Sequence, residues 1–172
     1  LAVALAQADR ILGKTSAAVE IFEAVWRATC GPTGITAGLW AADLRMCQGR
    51  AVEALDIVRN LEQKCSAGEH EMHGHIARLR SLNYRFGFDF LQAAEHLAQA
   101  RTRYTLADSV VGLANIATNQ VEILAHTKPS AAIPAAETAI ELQRVHGATH
   151  ELGKIYTAVA VARLRMGQVD AA

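Results

Sequence analysis

A chain of 172 residues that is 51% hydrophobic but only 5% aromatic must build its core from aliphatic side chains and alanine, and it is long enough for one domain or two. Lysine plus arginine (17) balances aspartate plus glutamate (17), so the basic excess that phosphate-contacting proteins carry is missing and direct nucleic-acid contact is not expected. With 34 alanines, three prolines and no alternating Val/Ile/Thr run, the expected fold is all-α.

Cys30, Cys47 and Cys65 are odd in number and widely spaced, which fits reduced thiols and a cytoplasmic setting better than a disulfide framework. No apolar run nears the roughly 20 residues of a membrane span. The stretch from Leu1 to Ile11 has neither a basic leader nor a cleavage site. The chain starts and stops inside helical patterns, without an initiator methionine. It therefore reads as a piece of a longer protein, with 1–172 forming a single repeat domain.

The predicted helices come in pairs. The first pair, 1–12 and 15–30, is hinged at Gly13-Lys14-Thr15-Ser16-Ala17, and its second helix carries Ala18, Phe22 and Val25. After a connection at Gly31-Pro32-Thr33-Gly34 comes the pair 35–48 and 50–65, hinged at Gly49-Arg50-Ala51-Val52-Glu53 and carrying Ala54, Val58 and Leu61. Ser66-Ala67-Gly68 leads to 69–86 and 89–103, with a turn from Gly87 to Gln92 ahead of Ala93, Leu97 and Ala100. The fourth pair, 106–126 and 129–146, turns at Lys128-Pro129-Ser130-Ala131 and carries Ala132, Ala136 and Ala139. Gly147-Ala148 joins it to a helix at 149–166, and Gly167-Gln168-Val169-Asp170-Ala171 opens a tenth segment from 169 onward that reaches Ala172.

The anchoring alanines 18, 54, 93, 132 and 172 are separated by 36, 39, 39 and 40 residues. Positions i, i+4 and i+7 share one helix face, and alanine at the first of them lets the preceding helix approach closely. Gly13, Gly49, Gly87 and Gly167 stand where a left-handed residue ends a helix. Ser16, Asp89 and Ser130 stand where a cap or first-turn residue helps the next one, and Pro129 suits a first helical position. Each pair exposes an apolar face that only a neighbour covers, so the pairs are expected to stack into an α-α superhelix of four to five repeats with period 36–40.

The turn followed by Ala18-Phe22, Ala54-Val58 or Ala93-Leu97-Ala100 resembles the second helix of the tetratricopeptide repeat (TPR), and Asp89-Phe90 resembles that family's acidic-aromatic turn. The first-helix signature of Trp, Leu-Gly and Tyr is largely absent: Ala41-Ala42 and Arg80-Ser81 replace Leu-Gly, while Tyr84 fits the Tyr position. The long period, the alanine richness and segments such as Leu164-Arg165-Met166-Gly167 resemble the sensor regions of large bacterial LuxR-type regulators, the group that includes the maltose regulator.

The TPR resemblance implies that first helices line a concave binding surface. Carried across position by position, it places there Leu39, Asp43 and Met46 from the second copy. From the third copy it places His75, Arg78, Leu82, Arg85 and Phe86. The family's carboxylate clamp needs Lys and Asn where Val3 and Gln7, Leu39 and Asp43, and Arg78 and Leu82 stand, so a carboxylate-terminal peptide held that way is not expected.

Other motifs read as structure. Gly13-Lys14-Thr15 lacks the earlier glycine of a phosphate loop, since Ala8 holds that place. His70-Glu71-Met72-His73-Gly74-His75 does not have the spacing of a zinc-protease helix, and with Cys65 nearby in sequence it still reads as a polar helix start with no metal. Ser81, Ser109 and Ser130 lack a nucleophile elbow. Glu20-Glu23 and Glu137-Glu141 read as solvated helix faces. The expectation is a non-catalytic scaffold without cofactor. It would bind a protein or peptide within a bacterial signalling or transcription regulator, with a metabolite-sensing domain or a spacer as alternatives.

Overall fold

The structure, a computed structural model, describes residues 2–29, 31–145 and 149–168. Within these it is all helical, and it divides into two compact units, Leu1–Glu69 and His70–Ala172. The first unit holds α1 (Ala2–Ile11), α2 (Thr15–Ala28), α3 (Pro32–Cys47) and α4 (Ala51–Lys64), each packed on the next in sequence. The second holds α5 (His70–Phe86), α6 (Phe90–Leu106), α7 (Val110–Thr127), α8 (Pro129–Val145) and α9 (Thr149–Arg165). In that unit the odd-numbered helices also touch one another, α7 lying against both α5 and α9. This is the repeat arrangement of TPR-like helix pairs.

The anchoring alanines do what their spacing demands. Ala18, Ala54, Ala93 and Ala132 are all fully buried, and so are Phe22, Val58, Leu61, Ala100 and Ala139 further along the same faces. The fifth anchor, Ala172, the segment from 169 onward, the connection at Gly147-Ala148 and Cys30 lie outside the described residues.

One turn design recurs. Lys14, Arg50, Asp89, Ser109 and Gln168 each donate a backbone N–H to the carbonyl five residues back, at 2.8–2.9 Å. The residue before each donor has positive φ: Gly13, Gly49, Phe88, Asp108 and Gly167. This is the Schellman closure, in which the left-handed residue directly precedes the last donor. The expectation for Gly87 is thereby corrected. It falls one position too early, and Phe88 takes φ 61° in its place because Asp89 must cap α6 by accepting from the Gln92 N–H at 3.1 Å. The turn at Asp108 moves two predicted boundaries. α6 continues to Leu106, and α7 begins only at Val110, where the Ser109 hydroxyl accepts from the Gly112 N–H at 3.3 Å.

α3 also starts earlier than its predicted residue 35. Pro32 occupies the first turn, where its missing N–H costs nothing, so the connector is shorter than the Gly31–Gly34 stretch suggested. Pro129 opens α8 as expected.

Candidate functional site

On α3, Leu39 and Asp43 are half-buried and Met46 is buried, so this part of the expected surface offers mostly flank and core. On α5, Leu82 is buried as well and Arg78 is half-buried. His75 turns toward α6, its Nδ1 2.9 Å from the Tyr104 hydroxyl and its ring edge-on to the Tyr104 ring. Phe86 remains half-exposed beneath the Arg85 guanidinium, which lies 4.6 Å from its ring centre. Arg85 lines a cavity of the second unit.

That cavity, of about 460 Å³, lies on the face shared by α5, α7 and α9. α7 supplies Glu122, Ala125 and His126, and α9 supplies Lys154, Thr157, Ala158 and Val161. Arg85 Nη1 is 3.3 Å from Glu122 Oε1, with both side chains largely buried. Asn119 Nδ2 donates to the other Glu122 oxygen at 3.1 Å, which fixes the carboxylate. Lys154 Nζ donates to Glu151 Oε1 at 2.8 Å, and the Thr157 hydroxyl donates back to the Gly153 carbonyl.

His126 stacks flat on Phe90 with ring centres 4.9 Å apart. Burial holds its imidazole below the usual histidine range, and the Arg165 and Arg85 charges push it further down against the opposing pull of Glu122. The cavity thus presents two cations already matched by carboxylates, a neutral imidazole and an apolar floor. Such a balanced lining suits a polar but weakly charged contact, because a strongly charged ligand would have to displace an existing ion pair.

α7 and α9 supply the lining residues absent from the sequence-based set. Part of the signal was available. Lys154, Thr157 and Val161 stand 18, 15 and 11 residues before Ala172, as His75, Arg78 and Leu82 stand before Ala93. Glu122 and His126 keep no such register with Ala132, so only the packing of α7 reveals them.

Among the described residues no three His, Cys, Asp or Glu side chains are placed to hold a metal ion. His70 instead faces an Arg103 nitrogen at 3.3 Å. Burial, with Glu69 and Glu62 adding to it, raises the Cys65 pKa. Ser81 donates to the Ala93 carbonyl at 2.7 Å and Ser109 to Glu71 at 2.7 Å, so both hydroxyls serve helix packing and capping. No described helix is long and apolar enough to cross a membrane.

No family model matches this chain, and no curated protein matches it. Among solved structures it is similar to the nearly identical TPR-like repeats attributed to a Podosopora anserina kinesin light chain. The identity is 19%, the TM-score 0.56, and the match covers 99% of this chain and 92% of that one. At that identity the likeness shows the fold: an all-α, TPR-like helical repeat.

Proposed function

We propose that this chain is a non-catalytic interaction scaffold whose α5–α7–α9 face receives a segment of a protein partner. The observation that carries the reading is the cavity around Arg85: three successive odd-numbered helices converge on it with paired charges, one hydroxyl and an apolar floor. Stacked helical repeats offer extended binding surfaces of this kind. Preformed grooves of this mixed character take peptides with little rearrangement. The repeat period and alanine richness favour a place within a bacterial LuxR-type regulator, with 1–172 acting as one repeat domain inside the cytoplasm.

A second reading has its own observation. A cavity of about 460 Å³ falls within the roughly 300–1,000 Å³ of small-molecule sites. In that case the domain senses a metabolite. Two measurements separate the readings. Capture of partners from source-cell extract should succeed with the wild-type chain and fail with the Arg85→Ala, Lys154→Ala double variant, whose helicity should be unchanged. Equal capture by both rejects the proposed face. In a melting screen, a metabolite at a hundred times its Kd adds roughly 2.7 kcal/mol of stability and favours the sensor.

A further inference from the structure

We propose that the groove between α6 and α7 is a second docking site, built for an amphipathic helix of a partner protein that is apolar along one face and acidic at both ends. α6 packs on α5 and α7, and its outer side carries Leu91 (79% exposed), Ala94 and Ala98. Together with Ile123 and Leu124 of α7 these residues line an open groove of about 770 Å³, larger than the cavity at Arg85. The α6 side of the lining runs from Phe90 to Thr102, about 18 Å of helix at ~1.5 Å per residue, which matches roughly three turns of a docked helix. Ala94 and Ala98, one turn apart on the wall, leave room for such a helix to seat against α6.

Charge selects the occupant. The two helices run in opposite directions, so Phe90 and Leu91 share one end of the groove with Thr127 and Lys128, while Arg101 and Gln120 share the other. Lys128 and Arg101 are both exposed, and no acidic residue lines the groove. Arg101 is held across it by a hydrogen bond to the neutral Gln120 amide oxygen, which positions the guanidinium without cancelling its charge. Among the described residues neither cation has an ion-pair partner. A helix with carboxylates near its two ends satisfies both, whereas a single-headed fatty anion reaches only one. Two cations are also far fewer than phosphate-backbone binding requires. This surface is formed by α6 and α7 and does not depend on the Arg85 cavity.

The test uses the full chain and a fluorescein-labelled 16-residue helix-forming peptide with leucines along one face and glutamates at both ends, beside a twin with lysines at those ends. Anisotropy should show the glutamate peptide binding at least about tenfold tighter at low salt, with the gap narrowing as salt rises. Lys128→Glu with Arg101→Glu should reverse the preference. Ala98→Arg should abolish binding at an unchanged melting temperature, since Ala98 is exposed, and Arg85→Ala should leave binding intact. Equal affinity for the twins, or binding that survives Ala98→Arg, overturns the proposal. Displacement of the glutamate peptide by micromolar dodecanoate would show an amphiphile site in its place. A concentration-dependent dimer that Ala98→Arg makes monomeric would assign the groove to a second copy of this chain.

Discussion

Where α2 meets α3, the helices are joined by charge. Glu23, only 9% exposed, accepts from Arg45 at 2.7 Å and from Arg27 at 2.9 Å, and Arg45 also lies 3.6 Å from Glu53. The hydrogen bond to Glu23 raises the Arg45 pKa, and the Glu23, Glu53 and Glu20 charges add to it while burial opposes. Where α5, α6 and α7 meet, the joint is a ring. Tyr104 is fully buried, and a Cβ placed at Gly74 or Gly112 would stand 2.8 or 2.2 Å from its Cδ1. α7 and α8 add a neutral contact, Gln143 Nε2 donating to the Thr118 hydroxyl at 2.9 Å. One repeat pattern thus tolerates two chemistries at its joints. Buried alanine anchors recur in the second helix of each pair, while the side chains that fill the rest of each joint differ.

The largest effect is expected at Arg45. Arg45→Ala leaves a buried Glu23 with only the exposed Arg27 as partner and should cost about 3 kcal/mol. Amide exchange should quicken in 2–64, and protection in 70–165 should hold. Equal loosening of both units would mean that they do not fold as separate cooperative blocks.

The anchors offer the next largest effect. Ala54→Phe and Ala93→Phe overpack one joint in each unit, and both should cost about 2 kcal/mol in thermal melts. A large effect at one and none at the other would show that the repeat register holds in a single unit.

Phe88→Gly should work in the opposite direction. It removes a bulky side chain from a left-handed position and should stabilise by about 1 kcal/mol. The gain would be partly offset by loss of the edge contact with Phe90, whose ring centre is 6.2 Å away. Melting of Phe88→Gly beside Asp108→Gly gives the check, with the smaller gain expected at Asp108 because aspartate tolerates this conformation.

The smallest effect is a pH response confined to the second unit. A folded His126 that titrates below the ordinary value binds fewer protons than the unfolded chain. Stability should therefore be full above about pH 6.5 and decline as pH falls below it. His126→Gln should flatten that slope, and an NMR titration should place the His126 midpoint below the ordinary histidine value of about 6.5.

Local signals were legible wherever one residue type meets one geometric demand. Gly13, Gly49 and Gly167 end helices through positive φ, Asp89 caps α6, Pro129 opens α8, and four anchoring alanines are buried. Legibility failed where the demand was met by an unexpected residue. Phe88 and Asp108 adopt the left-handed conformation without being glycine, the first in place of Gly87 in the α5–α6 turn and the second displacing the α6–α7 turn from where it was expected. It failed again where partners are distant in sequence. Glu20 and Glu23 look alike on paper, yet Glu20 is solvated as expected and Glu23 is buried by Arg45, 22 residues away. Glu137 and Glu141 remain exposed, as their spacing implied. In the candidate site, the first-helix rule reached Arg85 and missed the α7 residues around it.

The places of the nine described helices and their order in pairs were set by the sequence, because helix periodicity, small residues at close approaches and turn closures act over a few neighbouring residues. The sequence also determined the repeat, whose anchor spacing of 39 from Ala54 to Ala93 runs unbroken from the first unit into the second. Only the tertiary structure decided which charges are buried, which ring locks which glycines, and that Arg85 faces a cavity while His75 faces Tyr104. Those outcomes depend on how far each helix rotates against its neighbours. That rotation is set by the summed packing of side chains far apart in the chain, which no local pattern encodes.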